Sequence, residues 1–208
     1  MRFNEGEKII LIGDSITDSG RRDDPERIGN GYVRLIRDYY LITEPKMQFQ
    51  IINQGIGGDR VIDLEKRWKE DVLNHKPDWV SISIGINDVW RQLDRPEIDQ
   101  VYPETFLEAY TKLLSSLKEE TSAQVILMEP TIIEESIESA GNKMLAPYVD
   151  IVNRLADKYN AILVPTHQEF KEYLQNNPSN NLTTDGVHMN LIGDMLMART
   201  WIKALQER

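Results

Sequence analysis

Residues 8–18 read KIILIGDSITD, and their pattern gives the first indication of the fold. Its apolar residues, Ile9–Ile12, form a short continuous run that is typical of a strand buried on both faces of a parallel sheet. The run ends abruptly in Gly13-Asp14-Ser15, which brings a glycine, a carboxylate and a hydroxyl together. Such an ending fits a strand that turns polar where it reaches solvent. It also fits a serine that is held out for chemistry.

Similar strand-like runs recur along the chain, and helical patterns lie between them. The further runs are Phe49–Ile52, Trp79–Ile86, Val125–Met128 and Ile162–Val164. Apolar residues at helical spacing predict helices over 61–72, 106–117 and 191–205, and we also expect helices over 28–42 and 144–159. This alternation predicts an α/β protein, a three-layer α/β/α sandwich with a parallel sheet of about five strands.

Neither a repeat nor a linker divides the chain. The polar stretch QNNPSNN at 175–181 is a loop by composition, but it is too short to separate two domains. We therefore expect a single domain over residues 1–208.

Composition and charge exclude several classes of protein. The 208 residues include no cysteine, which excludes a disulfide framework, a zinc-thiolate site and a cysteine nucleophile. With 24 basic against 34 acidic residues, the net charge of −10 argues against nucleic acid or an anionic membrane as a partner. The first twenty residues lack signal-peptide features, and no apolar run approaches the roughly 18 residues of a membrane span, so we expect a cytoplasmic protein.

Small polar clusters follow three of the strand-like runs. They are Gly13-Asp14-Ser15, the stretch NQGIGGD at 53–59, and Gly85-Ile86-Asn87-Asp88. In a parallel α/β sheet, ligands bind beyond the carboxyl ends of the strands. The sequence therefore predicts a functional site at this edge.

A histidine near the C-terminus is a candidate base. His188 follows Asp185 by three residues, a spacing that lets the carboxylate reach the imidazole Nδ1 and leaves Nε2 facing a nucleophile. The same residues also fit a helix N-terminus, with Asp185 near the capping position and an exposed histidine. This motif alone leaves both interpretations open.

Ser15 strengthens the catalytic interpretation. A serine hydroxyl needs a base to take its proton and donors to stabilise an oxyanion. The glycine-rich loop at 55–58 offers a backbone N–H, and Asn87 offers a side-chain amide. Each feature alone fits a tight turn or a helix cap, but their coincidence at one sheet edge favours catalysis.

Four sequence blocks carry a family resemblance. GDSITD at 13–18, NQGIGGDR at 53–60, IGIND at 84–88 and DGVH at 185–188 resemble, in order and spacing, the conserved blocks of the SGNH or GDSL-type hydrolases. The resemblance implies a flavodoxin-like parallel sheet, the SGNH hydrolase fold, and a serine esterase that needs no metal or organic cofactor. The first block departs from the family pattern, because Ile16 stands where the family has leucine.

Carried over block by block, the resemblance assigns a catalytic triad. Ser15 matches the nucleophile, His188 the general base, and Asp185 the acid that orients the histidine. We therefore expect acyl transfer to water, in which neutral His188 activates the Ser15 hydroxyl.

The resemblance also assigns an oxyanion hole. Its donors are the Ser15 backbone N–H, a glycine N–H and the Asn87 side chain. Gly58 matches the family glycine by its position before Asp59, and Gly57 is the alternative.

A closer resemblance points to the substrate. KPDWVSISIGINDVWRQ at 76–92 and Arg67-Trp68 are similar to the bacterial acetylxylan esterases of this family. This implies a small-molecule ester substrate, an acetyl group on a xylo-oligosaccharide or another sugar, and assembly as a homo-oligomer. Trp90 and Arg91 are candidates to stack on a sugar ring and to bind its hydroxyls. Trp90 fits equally well in a core or a subunit interface.

Three rival functions remain to be distinguished. One is a lipase, lysophospholipase or thioesterase of the same family, acting on a non-sugar ester. Another is a sugar-binding module that has lost turnover. The third is a phosphohydrolase with Asp14 as its nucleophile, which would require Mg²⁺.

Overall fold

The computed structural model describes residues 3–46 and 48–207, and its centre is a parallel five-stranded sheet. The strands are β1 (Lys8–Gly13), β2 (Gln50–Gly55), β3 (Trp79–Ser83), β4 (Gln124–Met128) and β5 (Ile162–Val164). Their order in the sheet is β2-β1-β3-β4-β5, so the predicted α/β class and the flavodoxin-like sheet are confirmed.

Eight helices surround this sheet within the described ranges. They are α1 (Ser15–Asp18), α2 (Tyr32–Thr43), α3 (Val61–Asp71), α4 (Ile86–Asp94), α5 (Pro103–Glu120), α6 (Ala140–Tyr159), α7 (Thr166–Asn176) and α8 (Leu191–Gln206), and a 3-10 turn spans Leu73–His75. Among the residues that the structure describes, no helix combines the length and apolar character that crossing a membrane requires.

The strands at the middle of the sheet are apolar because both of their faces are covered. Ile9–Ile12 of β1 are fully buried, and all five residues of β3 are buried. The helices form two layers. In one layer α8 packs against α2 and α7, and in the other α5 packs against α3 and α6, while α6 also contacts α4. Trp68, Trp79 and Trp201 lie in the core.

A buried carboxyl group joins two helices of one layer. Gly31 precedes α2 and has no side chain with which to cap it, and the Asp194 carboxylate of α8 accepts the Tyr32 N–H at 3.0 Å instead. Burial raises the pKa of Asp194 to about 6, against the opposing effect of this hydrogen bond.

Two strand boundaries differ from the sequence prediction. β2 continues through Asn53-Gln54-Gly55, although the apolar run in the sequence predicts a strand that ends at Ile52. The Asn53 side chain is buried there because its amide donates to the carbonyls of Thr17 at 2.6 Å and Ile28 at 2.8 Å. β3 ends at Ser83 rather than Ile86, because Gly85 turns the chain with a φ of 125° and α4 begins directly after it.

The strand order reverses between β1 and β3, which are neighbours in the sheet. The chain leaves the carboxyl end of β1 into Ser15, and it leaves β3 into Asn87 at the start of α4. Such a reversal point is where ligands bind in open α/β sheets. The fold therefore brings both residues to the edge where the sequence predicts a site.

Candidate active site

Ser15 is the first residue of α1, directly after β1. The Asp14 side chain caps this short helix, because its Oδ1 accepts the Ile16 N–H at 3.0 Å. Asp14 itself is buried, so the turn that carries Ser15 is held in place on its protein-facing side. The abrupt change from apolar strand to polar residues thus places a hydroxyl at the end of the strand.

Asp185, His188 and Ser15 form a hydrogen-bonded chain. The Asp185 Oδ2 lies 2.7 Å from the His188 Nδ1, and the His188 Nε2 lies 2.9 Å from the Ser15 Oγ. A carboxylate can only accept, so Nδ1–H donates to Asp185 and Nε2 is left to accept the Ser15 hydroxyl proton. This arrangement can remove a proton from the serine.

The Asp185 carboxylate is held in its charged form. Partial burial raises its pKa, but hydrogen bonds from the His188 ring and from the backbone N–H groups of His188 and Val187 outweigh burial and leave the pKa below its usual value. Its Oδ1 accepts those backbone donors at 2.8 Å and 3.0 Å. Asp185 therefore shapes the turn that carries His188 as well as orienting its ring.

The loop that carries Asp185 and His188 is braced by a neighbouring loop. The Glu135 Oε1 accepts the Thr183 backbone N–H at 3.0 Å and its hydroxyl at 2.5 Å. The Glu134 N–H donates to the Gly186 carbonyl at 2.7 Å. Sequence reasoning missed Glu135, because nothing in a local pattern relates it to a motif 48 residues further along the chain.

The glycine-rich loop is fastened to the end of β1. The Ile56 N–H donates to the Gly13 carbonyl at 3.0 Å. Gly55 passes so close to the backbone of Asp18 that a side chain there would overlap it. Gly58 has a φ of 86°, which favours glycine. The Cβ of a residue replacing Gly57 would lie 3.8 Å from the Ser15 Cβ, so the loop passes directly beside the serine.

Arg67 of α3 ties this loop to two strand ends, and it is a second residue that sequence reasoning missed as part of the site. Its guanidinium donates to the Gly13 carbonyl at 3.0 Å and the Gln54 carbonyl at 2.8 Å, and it pairs with Asp59 at 2.7 Å. It also pairs with Asp71 at 2.6 Å. The signals in the sequence were its i, i+4 spacing to Asp71 and the similarity of Arg67-Trp68 to the acetylxylan esterases, and neither pointed to the contacts with the strand ends and Asp59.

Asn87 lies buried in the first turn of α4. Its Nδ2 donates to the Asp59 carbonyl at 3.1 Å, and its Oδ1 accepts from the Arg91 Nη2 at 3.1 Å. An amide nitrogen carries two hydrogens, so Nδ2 retains a donor beyond the bond to Asp59. The structure thus brings Ser15 and the Gly57-Gly58 loop together, and joins Asn87 to that loop through Asp59.

Trp90 and Arg91 follow on the same helix. The Trp90 indole packs partly against the core and meets the His188 imidazole edge to face, with 5.8 Å between ring centroids. The Arg91 guanidinium stacks over that indole at 4.7 Å and pairs with Asp94. Trp90 therefore lies beside the candidate base as well as against the core, which combines the two positions that the sequence left open.

Two buried carboxyl groups, Asp14 and Asp88, support the loops of the site. Burial raises the pKa of Asp14 to about 7, although the Ile16 N–H and the charge of His188 both lower it. Burial also raises the pKa of Asp88 to about 8, against the lowering effect of its hydrogen bond from the Val61 N–H at 3.1 Å. Asp88 thereby holds the start of α3. Both residues support loops through hydrogen bonds.

The other histidines lie outside this arrangement. His167 is buried, its Nδ1 lies 2.5 Å from the Thr131 carbonyl, and burial lowers its pKa. His75 ends a 3-10 turn and contacts Gln54. Within residues 3–46 and 48–207, no group of three or more histidine or acidic side chains is placed to hold a metal ion.

Comparison with known proteins identifies relatives that cover the whole chain. Residues 11–195 match the model of the GDSL-like Lipase/Acylhydrolase family. An acetylxylan esterase from Geobacillus stearothermophilus is 38% identical over 213 residues, which cover 99% of this chain and 96% of that protein.

Solved structures agree with this match. The crystal structure of Axe2, an acetylxylan esterase from Geobacillus stearothermophilus, superposes with a TM-score of 0.91 at 35% identity, covering 99% of this chain and 96% of that chain. LAE5, described as an alpha/beta hydrolase enzyme from the metagenome of Lake Arreo, Spain, gives a TM-score of 0.91 at 34% identity over 98% of this chain and 97% of that chain. Structures of catalytic mutants of Axe2 carry alanine in place of a serine, an aspartate or a histidine.

Proposed function

We propose that this chain, which belongs to the GDSL-like lipase/acylhydrolase family and is a carboxylic ester hydrolase, removes acetyl groups from xylo-oligosaccharides or other acetylated sugars with Ser15, His188 and Asp185 as its triad. The observation that carries the proposal is the unbroken hydrogen-bonded chain from the Asp185 carboxylate through the His188 ring to the Ser15 hydroxyl. Catalytic mutants of the related Axe2 in residues of the same three types support it.

In the proposed reaction, the Ser15 Oγ attacks the acetyl carbonyl while the His188 Nε2 takes the hydroxyl proton. The carbonyl π electrons move to oxygen, and this oxyanion is stabilised by the Ser15 N–H, a glycine N–H and the Asn87 amide. His188 then gives its proton to the departing sugar oxygen, which leaves as an alcohol. A water molecule repeats these steps on the acetyl-serine and releases acetate.

The glycine donor is assigned to Gly58 in this proposal. The support is its position before Asp59, whose carbonyl binds the Asn87 amide, and its φ of 86° in the loop beside Ser15. Gly57 is the alternative, because it passes closer to the Ser15 side chain.

The sugar as the alcohol portion of the ester is supported by the relative and by Trp90. The acetylxylan esterase match covers 99% of this chain. A half-buried indole beside the base offers a flat apolar surface of the kind on which sugar rings stack. Trp90 is therefore proposed to contact the sugar.

Acetate release from acetylated xylo-oligosaccharides tests the function, with the Ser15→Ala protein as the blank. Release by the wild type alone supports both the nucleophile and the sugar ester. A fluorophosphonate that labels the wild type but not Ser15→Ala tests the nucleophile independently of the substrate. Labelling without acetate release would leave the serine esterase standing and overturn the sugar assignment.

A series of p-nitrophenyl esters distinguishes this proposal from a lipase or thioesterase. We expect the highest kcat/KM for acetate and a steep fall with acyl length. A maximum at eight or more carbons would instead favour the lipid-directed alternative.

EDTA tests the Mg²⁺-dependent phosphohydrolase. We expect EDTA to leave the activity unchanged, and inhibition by EDTA would favour that rival.

We also propose that the protein assembles as a homo-oligomer, with a second copy covering an apolar groove of about 670 Å³ between α2 and α8. Ile42 and Met195 line this groove and are more than half exposed. Asp38 of α2 and Arg199 of α8 also line it, so a two-fold related copy can set these opposite charges against each other. Sedimentation velocity on the wild type and Ile42→Asp tests this, and a wild-type monomer at micromolar concentration contradicts it. A cytoplasmic location stays a prediction from the sequence.

A further inference from the structure

We propose that Arg91 is a positioning residue, which locks the Asn87 amide in the one orientation that can donate to the oxyanion. The proposal rests on the proposed ester hydrolysis, and it gives Arg91 a role that differs from binding sugar hydroxyls. It is carried by the hydrogen bonds around Asn87, by the contacts that immobilise Arg91, and by their common place on α4.

The orientation of the Asn87 amide matters because its two ends have opposite chemistry. Rotation of an asparagine amide by 180° exchanges a donor for an acceptor, and the torsion that governs this exchange is soft. An oxyanion is stabilised by Nδ2–H but repelled by Oδ1. A buried oxyanion donor of this type therefore needs neighbours that distinguish its two ends.

Two neighbours make that distinction. The Asp59 carbonyl accepts from Nδ2 at 3.1 Å, and the Arg91 Nη2 donates to Oδ1 at 3.1 Å. In the flipped amide, Oδ1 would face the Asp59 carbonyl and Nδ2 would face the guanidinium, so both hydrogen bonds would become repulsive contacts. Asp59 is an acceptor alone, whereas Arg91 adds a full positive charge.

The positive charge does more than select the orientation. A guanidinium bound to Oδ1 draws electron density from the amide, so the remaining Nδ2–H becomes a stronger donor. This polarisation matters most in a water-poor site, and Asn87 is only 1% exposed. Arg91 therefore acts on the oxyanion through Asn87 without touching the substrate.

Arg91 is itself held still. It lies one helical turn beyond Asn87 on α4, pairs with Asp94 through Nη1, and stacks over the Trp90 indole at 4.7 Å. Its side chain is only 16% exposed. A planar guanidinium can satisfy an amide oxygen, a carboxylate and an aromatic face together, whereas a lysine ammonium lacks the fork and the flat surface.

A double-mutant cycle tests the proposal. Arg91→Met keeps the apolar stem without charge, Arg91→Lys keeps charge without the fork, and Asn87→Ala removes the amide. Removal of an oxyanion donor costs roughly 10²–10³-fold in kcat, so we expect that loss in Asn87→Ala. For Arg91→Met we expect a loss of about tenfold in kcat on p-nitrophenyl acetate with KM unchanged, and for Arg91→Lys a smaller loss.

The decisive comparison is made in the Asn87→Ala background. There Arg91→Met should cost no further activity, because its effect passes through the missing amide. The same tenfold loss in both backgrounds would overturn the proposal. So would an unchanged kcat with a raised KM on acetylated xylo-oligosaccharides, since that result assigns Arg91 to the sugar.

Controls separate this inference from folding and from the proposed function. Arg95→Gln removes an exposed arginine just past the end of the same helix and should leave kcat unchanged. Thermal unfolding checks that each variant is folded. If Arg91→Met does not fold, Arg91→Lys replaces it in the double-mutant cycle. If Asn87→Ala is fully active while Ser15→Ala is inactive, the positioning proposal fails and the serine esterase remains.

Discussion

Asp185 binds His188 through both carboxylate oxygens: Oδ1 accepts the backbone N–H at 2.8 Å, and Oδ2 accepts the ring Nδ1–H at 2.7 Å. One side chain thus fixes both the position and the ring orientation of the proposed base. Substitution of Asp185 removes both restraints together. The resulting loss of kcat measures how much the orientation of His188 contributes, separately from the proton transfer that His188 itself performs.

Substitution of Ser15 or His188 should reduce turnover to a similar extent, and substitution of Asp185 to a smaller one. We expect Ser15→Ala and His188→Ala to lose kcat by on the order of 10⁴-fold or more, and Asp185→Ala to lose less, because His188 can still take a proton when poorly oriented. Steady-state kinetics on p-nitrophenyl acetate, with circular dichroism to verify folding, measures this. The Ser15→Ala/Asp185→Ala double variant should be no slower than Ser15→Ala. Full activity of Ser15→Ala would end the interpretation.

Activity should rise with pH, because only a neutral imidazole can act as the base that takes the Ser15 hydroxyl proton. The lowered pKa of Asp185 keeps that carboxylate charged across the same range, so it adds no second step. The measurement is kcat/KM between about pH 5 and 9. Burial raises the pKa of Asp14 to about 7, so this carboxyl group also changes charge over the range measured. Asp14→Asn removes that change of charge and keeps the acceptor for the Ile16 N–H, so it is the matched control and should retain the rise in activity. A flat profile in the wild type would contradict the role of His188.

Stability should decrease as the pH rises from about 4 to 8. Burial raises the pKa of Asp194 to about 6, of Asp14 to about 7 and of Asp88 to about 8, so over this range the folded protein holds protons that the unfolded chain has lost. Excess proton binding by the folded state makes the free energy of unfolding fall with pH. Carboxyl groups with lowered pKa, such as Asp185, act below this range, where they lose their stabilising effect as the pH falls. His167 opposes the trend up to its ordinary pKa of about 6.5, because burial lowers its pKa and the unfolded chain then holds the extra proton.

Asp88→Asn should reduce that decrease, because it stays neutral and keeps an acceptor for the Val61 N–H. Relative to the wild type, we expect it to gain at least about 1 kcal/mol between pH 5 and pH 8.5, since one pKa unit corresponds to about 1.4 kcal/mol. Urea unfolding at the two pH values measures the gain. Asp23→Asn, an exposed control, should show none. Equal pH dependence in all three proteins would refute the assignment.

Glu135→Ala should loosen the loop that carries Asp185 and His188. Its Oε1 accepts both the backbone N–H and the hydroxyl of Thr183, and removal leaves these donors without their partner. We expect a loss of about 1–3 kcal/mol in stability and a fall in kcat with little change in KM. Glu135→Gln keeps an acceptor and should recover most of the activity. Glu134→Gln, at the exposed neighbouring side chain, should behave as the wild type.

The parts of the site that lie on regular strand ends were predictable from sequence. Ile9–Ile12 predicted β1, and the clusters around Ser15 and Asn87 lie where a parallel sheet brings its strand ends together. Glu135 and Arg67 were not predictable as parts of the site, because their partners depend on tertiary approach and a charged loop or helix residue usually faces solvent. Asn53 was misplaced because its buried amide is satisfied by two carbonyls that only the folded chain supplies.

Asp185 and His188 lie on one short loop, apart from Ser15 at the start of α1, and this placement also determines how the enzyme loses activity. Loss of the Glu135 contacts to Thr183 should shift Asp185 and His188 together. Their mutual hydrogen bond would then survive while the hydrogen bond from His188 to Ser15 is lost. An inactivated protein of this kind would still show the deshielded ring N–H proton resonance of a carboxylate-bound histidine. Inactivation of this kind separates the loop that carries Asp185 and His188 from Ser15, while the local structure of each remains intact.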